Sequence, residues 1–243
     1  MWMSGCWRWL VIVGVMLACA PRPASAAEVA TTEQLRRWVV GLRDADPATR
    51  EKSKHALLGL RREELPTLAA VVHDFRPLEP TVVGDMREIV EHVYLSGDEY
   101  PKEEMGFIGI HMPETPAPKL EVVVESRMPG FAGFRMLQDG DAILDIEEYP
   151  LAQPVDRRAF CAKVLRIKPR ELIHLRVLRR GKIIRVPGRL DPRPKDPSGA
   201  GVDYDFVVQE LLARRAAEAD GYWKRVFERE KAPGERTATV EPK

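Results

Sequence analysis

From Thr31 to Leu95 the apolar residues recur every three or four positions, and from Gly106 to Leu190 they fall into short runs and alternations. The first spacing lines up one face of a helix, the second one face of a strand. Leu35, Trp38, Val39 and Leu42 trace a first helix, with Thr31 or Thr32 as its cap and Glu33 and Gln34 in its first turn. Asp46 caps a second helix, and Pro47 takes its first position, where a missing N–H costs nothing. Ala56, Leu57 and Leu60 carry its apolar face. "RREELPTLAAVVHDF" and "PTVVGDMREIVEHVYL" predict two more helices, the latter ending at Ser96-Gly97. The short turns between them imply antiparallel neighbours.

Beyond Gly106, "KLEVVVES" (Lys119 to Ser126) and "DAILDIEE" (Asp141 to Glu148) read as strands. Glu171 to Leu190 reads as a hairpin turning at Arg180-Gly181, its apolar residues being Leu172, Leu175, Val177, Ile183, Ile184 and Val186. Between these, "PVDRRAFCAKVLRI" predicts a short helix capped by Asp156, with Phe160, Val164 and Ile167 on one face. Residues 192–203 form a Pro/Gly linker, and 204–231 an amphipathic helix. Val208, Leu211, Leu212, Ala219, Tyr222, Trp223, Val226 and Phe227 lie on its apolar face, and Gly221 is a candidate break. Residues 232–243 are polar and expected to be disordered. The class is α+β: an antiparallel helical unit over 31–97, a β-rich block over 104–191 and a C-terminal helix.

The first 26 residues are not fold material. Arg8 precedes an apolar run from Leu10 to Ala20, too short for a span of ~20 residues. Ala24-Ser25-Ala26 then places small residues where a signal peptidase reads. The expectation is a cleaved signal peptide and an exported, periplasmic or extracellular chain with no later membrane span. An uncleaved anchor and lipidation at Cys19 are the alternatives; "MLAC" lacks the usual Leu three before the Cys. Cleavage leaves Cys161 as the one remaining cysteine, hence no internal disulfide. A net charge of +1 argues against a general basic field for nucleic acid.

The stretch "GLRDADPATREKSKHALLGLRREELPTLAAVV" resembles a HEAT-type repeat, through its Asp-x-Asp-Pro-x-x-Arg turn and the following Ala56 and Leu57-Leu58. It covers about one and a half units, and a solenoid needs about three. A small helical unit that packs on its neighbour is the preferred reading.

"GFIGI" (Gly106 to Ile110) raises a sharper question, because glycine weakens a strand and marks close approach of another backbone. Read with "VVVESRMPGFAGFRMLQDGDAILDIEEYPL" and "FCAKVLRIKPRELIHLRVLRRGK", the block 104–191 resembles a PDZ domain of the kind found in bacterial HtrA-type and C-terminal-processing proteases. The resemblance implies a small β-sandwich or barrel with a groove helix, a loop that binds a peptide carboxylate through backbone N–H groups, and an edge strand that pairs with the peptide. Gly106 and Gly109 would leave room for backbone contact. Phe107, Ile108 and Ile110 would form an apolar floor, His111 would follow at the rim, and Phe160 and Val164 would form the opposite wall. Two departures stand out: Pro129-Gly130-Phe131-Ala132-Gly133-Phe134 in place of Pro-Ala-x-x-Ala-Gly, with a Phe where the family often has Leu, and Pro169-Arg170-Glu171 in place of Pro-Gly-Asp. The Pro-rich "HMPETPAPK" shortens the edge strand.

Catalytic parts do not assemble in the sequence. After residue 26 the serines are Ser53, Ser96, Ser126 and Ser198, none in a Gly-x-Ser-x-Gly turn. No His-Glu-x-x-His occurs, and His55, His73, His92, His111 and His174 lack metal-ligand spacing with Cys161. The expectation is no catalytic residue, no metal and no cofactor. It leaves a module that binds protein C-termini or extended peptides, as adaptor to a protease or envelope complex, or else a structural or oligomerisation scaffold whose groove is capped from within.

Overall fold

The computed structural model describes residues 29–97, 99–113, 122–151, 155–195 and 204–228. The expected signal segment, the linker residues 196–203 and the tail 232–243 lie outside them.

Thr31 opens α1 (Thr32–Gly41) with a reciprocal cap: its hydroxyl accepts the Gln34 N–H, and the Gln34 side chain accepts the Thr31 N–H. Asp46 opens α2 (Pro47–Leu58), its carboxylate accepting the N–H groups of Ala48 and Thr49. A 3-10 turn, Arg62–Glu64, leads into α3 (Leu65–Asp74), and α4 (Pro80–Ser96) follows. Leu35, Leu57, Leu65, Leu68, Met86 and Ile89 are fully buried between these helices. The C-terminal α7 (Tyr204–Trp223) continues through a π-helical turn, Lys224–Glu228. Trp223 and Phe227 stack at 5.1 Å inside the same core. Gly221 does not break the helix. Burial of Ala219 and Trp223, and the bonds of Asp220 to Arg87 and Lys224, hold the chain helical through it.

The strands of the described residues form three small antiparallel sheets. β1 (Lys102–Phe107) pairs with β7 (Asp191–Pro194), and β2 (Ile110–His111) with β3 (Ser126–Arg127). β4 (Ala142–Ile146), β5 (Leu172–Arg179) and β6 (Lys182–Arg189) form the third, in that order. The chain is thus an α+β mix, and among the described residues no barrel closes. Each sheet has only two or three strands and therefore keeps free edges. Residues 119–121 of one expected strand lie outside the description; its remainder makes a single bridge, Val123 to Ala142, and β3. β7 occupies the start of the expected linker. Its Pro192 and Pro194 are tolerated because β7 pairs on one side only. The Arg180-Gly181 turn has φ of 51° and 76°, the left-handed pair that a two-residue hairpin requires. Two short helices, α5 (Ala132–Met136) and α6 (Arg157–Arg166), complete the block.

The helices and the β-rich block meet through polar groups. His92 of α4 is fully buried and stacks on Phe134, ring centroids 4.9 Å apart. Its Nδ1 accepts the Gly130 N–H at 3.0 Å, so Nε2 carries the proton and faces Ser96 Oγ at 3.2 Å. Arg215 of α7, 1 % exposed, donates to the Leu95 carbonyl at 2.7 Å and lies over the rings of Tyr100 and Phe131.

Burial, helped by Arg135 and Arg127, pushes His92 from 6.5 down to about 3. Above pH 6.5 the folded and unfolded imidazoles are both neutral. Between about 6.5 and about 3 the unfolded chain binds a proton that the folded chain does not. Stability therefore falls as the pH drops through that window, by up to about 1.4 kcal/mol per pH unit. Denaturant midpoints against pH for the native chain and His92→Gln measure this. The native profile should carry the extra slope, and parallel profiles would remove His92 as its source.

Candidate functional site

The loop between β1 and β2 is shaped by contacts from inside the chain. A Cβ on Gly106 would stand 2.7 Å from the carbonyl oxygens of Val164 and Ile167, at the end of α6. A Cβ on Gly109, whose φ is +73°, would overlap the Phe131 side chain. What approaches the two glycines closely is therefore the end of α6 with Leu190 at Gly106 and Phe131 at Gly109, where the sequence suggested a ligand backbone. Gly133 completes the arrangement: its N–H donates to the Ile108 carbonyl at 2.6 Å, and a Cβ there would collide with that oxygen. The Met128 N–H donates to the Gly109 carbonyl at 2.9 Å.

Both carbonyls of Ile108 and Gly109 are thus engaged. Their N–H groups are different: among the described residues neither donates a hydrogen bond. Unpaired N–H groups in a turn with a left-handed residue are the means by which backbone binds an anion. Ile110 extends the feature. The carbonyls of Gly109 and His111 accept from Met128 and Glu125, on the β3 side. Ile110, between them, directs its own N–H and C=O to the opposite edge of β2. No second strand lies there among the described residues.

Asp156 caps α6, its carboxylate accepting the Arg158 N–H at 2.6 Å. The helix brings Phe160 and Val164 into one core with Ile108 and Ile110; these four are 1 %, 5 %, 5 % and 8 % exposed. Ile108 and Ile110 of the expected floor are therefore together with both residues of the expected wall, and packed shut; Phe107 is not among them. Phe107 is half-buried and meets Phe131 edge-on at 5.0 Å. His111 is half-buried at the rim. Arg157 reaches from the first turn of α6 to the Pro113 carbonyl at 3.0 Å, tying the far end of α6 to the exit of β2. α7 lies against α4, so the C-terminal helix is not what fills the space beside β2.

The sequence assigns no site role to Phe131 or Gly133, and no spacing within the Pro129-to-Phe134 stretch ties them to the loop. Other reactive side chains are placed quietly. Ser96 donates to the His92 carbonyl, and Cys161 is half-buried, its thiol pushed up by burial. Glu147, Glu148 and His174 bring ligand atoms within 4.8 Å of one another, but Glu147 pairs with Arg185 and Glu148 with His174. Among the described residues no helix is long and apolar enough to cross a membrane.

No protein-family profile matches the chain, and no curated protein is similar to it. Solved structures of an HtrA-type protease are similar to part of it. A variant of the protease AlgW with a decapeptide is 25% identical, with a TM-score of 0.33, over 46% of this chain and 34% of that one. AlgW with a decapeptide is 23% identical, with a TM-score of 0.33, over 47% of this chain and 35% of the other. The chain spans about a third of the length of these structures, a weak and partial likeness to HtrA-type proteins.

Proposed function

We propose that the chain is an exported, non-catalytic binding module: a PDZ domain over 104–191, joined to a HEAT-like helical unit, that takes up the C-terminus or an extended segment of a partner protein. The observation that carries this reading is the pair of unengaged N–H groups at Ile108 and Gly109, beside the outward backbone of Ile110. A terminal carboxylate would accept from the two N–H groups, and the preceding residues would pair with the edge of β2. Because Ile108, Ile110, Phe160 and Val164 are packed together, the last ligand side chain enters by moving α6 away from β2. That packing also favours a second reading, a scaffold whose groove is filled by its own side chains.

Titration of the chain against C-terminal peptides, each as free acid and as amide, separates the two. The binding module prefers the free acid by about tenfold, the scale of a charge-assisted hydrogen bond. The scaffold binds neither form.

A further inference from the structure

A cleft of about 1250 Å³ separates α2 from α5 and the β5–β6 hairpin. It shares no residue with the loop and wall described above. Its carboxylates are all engaged: Asp139 with Arg127, Asp141 with Arg179, and Glu51 with the Gln138 amide. Its cations outnumber them. Lys52 on α2, Arg135 on α5 and Arg180 at the hairpin turn are exposed and form no ion pair among the described residues. Each stands on a different wall. The whole chain carries a net charge of only +1, so this surplus is local.

The cleft is also bounded by a strand edge. Among the described residues β6 pairs with β5 alone, and Arg179↔Lys182 closes the two-residue turn as a hydrogen-bonded pair. Counting along the ladder, Arg185 and Arg189 fall in the alternate pairs, so their N–H and C=O groups point away from β5. Pro187 sits between them, where it removes one N–H from the free edge and none from the ladder. Phe134, the aromatic residue in the lining, is spent on His92 and Arg127 and shows no face on which a nucleic-acid base could stack.

We infer that this cleft is a second binding site and takes an acidic, extended segment of a partner protein. Lys52, Arg135 and Arg180 supply the charge complement, and the free edge of β6 supplies backbone partners that a polypeptide uses and a nucleic acid does not. The site stands whether or not the 106–110 loop binds a carboxylate.

The test uses the full chain and a fluorescent oligoglutamate peptide amidated at its C-terminus, which offers no terminal carboxylate to the loop. Anisotropy should show saturable binding that weakens as salt rises. Reversing Lys52, Arg135 and Arg180 together to Glu should weaken it by about tenfold or more, the scale of three exposed ion pairs. A control chain with Arg37, Lys168 and Arg214 reversed to Glu carries the same charge change elsewhere and should bind within about twofold of the native chain. Circular dichroism verifies that both variants fold. Absence of saturable binding, equal losses in the two variants, or an oligonucleotide that displaces the peptide at lower concentration would each overturn the assignment.

Discussion

Gly109→Ala should cost the chain about 3 kcal/mol and lower Tm by about 6–12 °C. Two separable effects add. The residue sits at φ +73°, where an L side chain costs about 1–2 kcal/mol. Its Cβ would also press into Phe131, which is fully buried and held by Phe107, Tyr100 and Arg215 and so cannot move aside cheaply. Gly140 is the control. Its φ is +86°, but nothing lies within 4 Å of an added Cβ. Gly140→Ala should therefore show the backbone effect alone, about 1–2 kcal/mol. Thermal unfolding of both variants reads the difference. Equal losses would mean that Phe131 does not press on the loop.

Arg215→Ala should cost a comparable amount, about 3 kcal/mol. Removing the guanidinium leaves the Leu95 carbonyl without its buried donor and strips a cation from beside the Tyr100 and Phe131 rings. Arg215→Met keeps much of the volume and should recover part of the loss. A full recovery would assign the effect to packing and not to the hydrogen bond. Because Phe131 touches Arg215 on one side and the 106–110 loop on the other, Arg215→Ala should also loosen the loop, read as faster hydrogen exchange at Gly133 and Met128, whose N–H groups donate to the Ile108 and Gly109 carbonyls. An Arg215→Ala chain with native stability and native exchange would contradict this placement.

Much of this fold was readable because its signals are local. Thr31, Asp46 and Asp156 mark helix starts by bonding to residues two or three positions on, and Arg180-Gly181 marks the hairpin by its own backbone angles. The loop glycines stood out for the same reason. Their cause did not, since Val164 and Ile167 reach Gly106 from about sixty positions away, and no spacing rule connects them. β7 was hidden because Pro192 and Pro194 are linker residues by composition and strand residues only once β1 lies alongside. The junction was illegible. His92 and Arg215 are polar positions on helices, and only the neighbouring Gly130, Phe131 and Phe134 turn them into buried, bonded groups. Lys52, Arg135 and Arg180 of the second cleft come from three elements far apart in the chain, so composition, nearly balanced overall, did not reveal them.

In the proposed binding mode the Ile108 and Gly109 N–H groups receive a terminal carboxylate. Their own resonances report on it. In proton–nitrogen correlation spectra of the labelled chain, titration with a binding peptide as the free acid should move the Ile108 and Gly109 amide protons downfield first and furthest, as a hydrogen bond to an anion forms. The amidated peptide should leave both in place. Movement of both peaks with the amide, or free-acid binding that shifts other residues and leaves these two unmoved, would contradict the account.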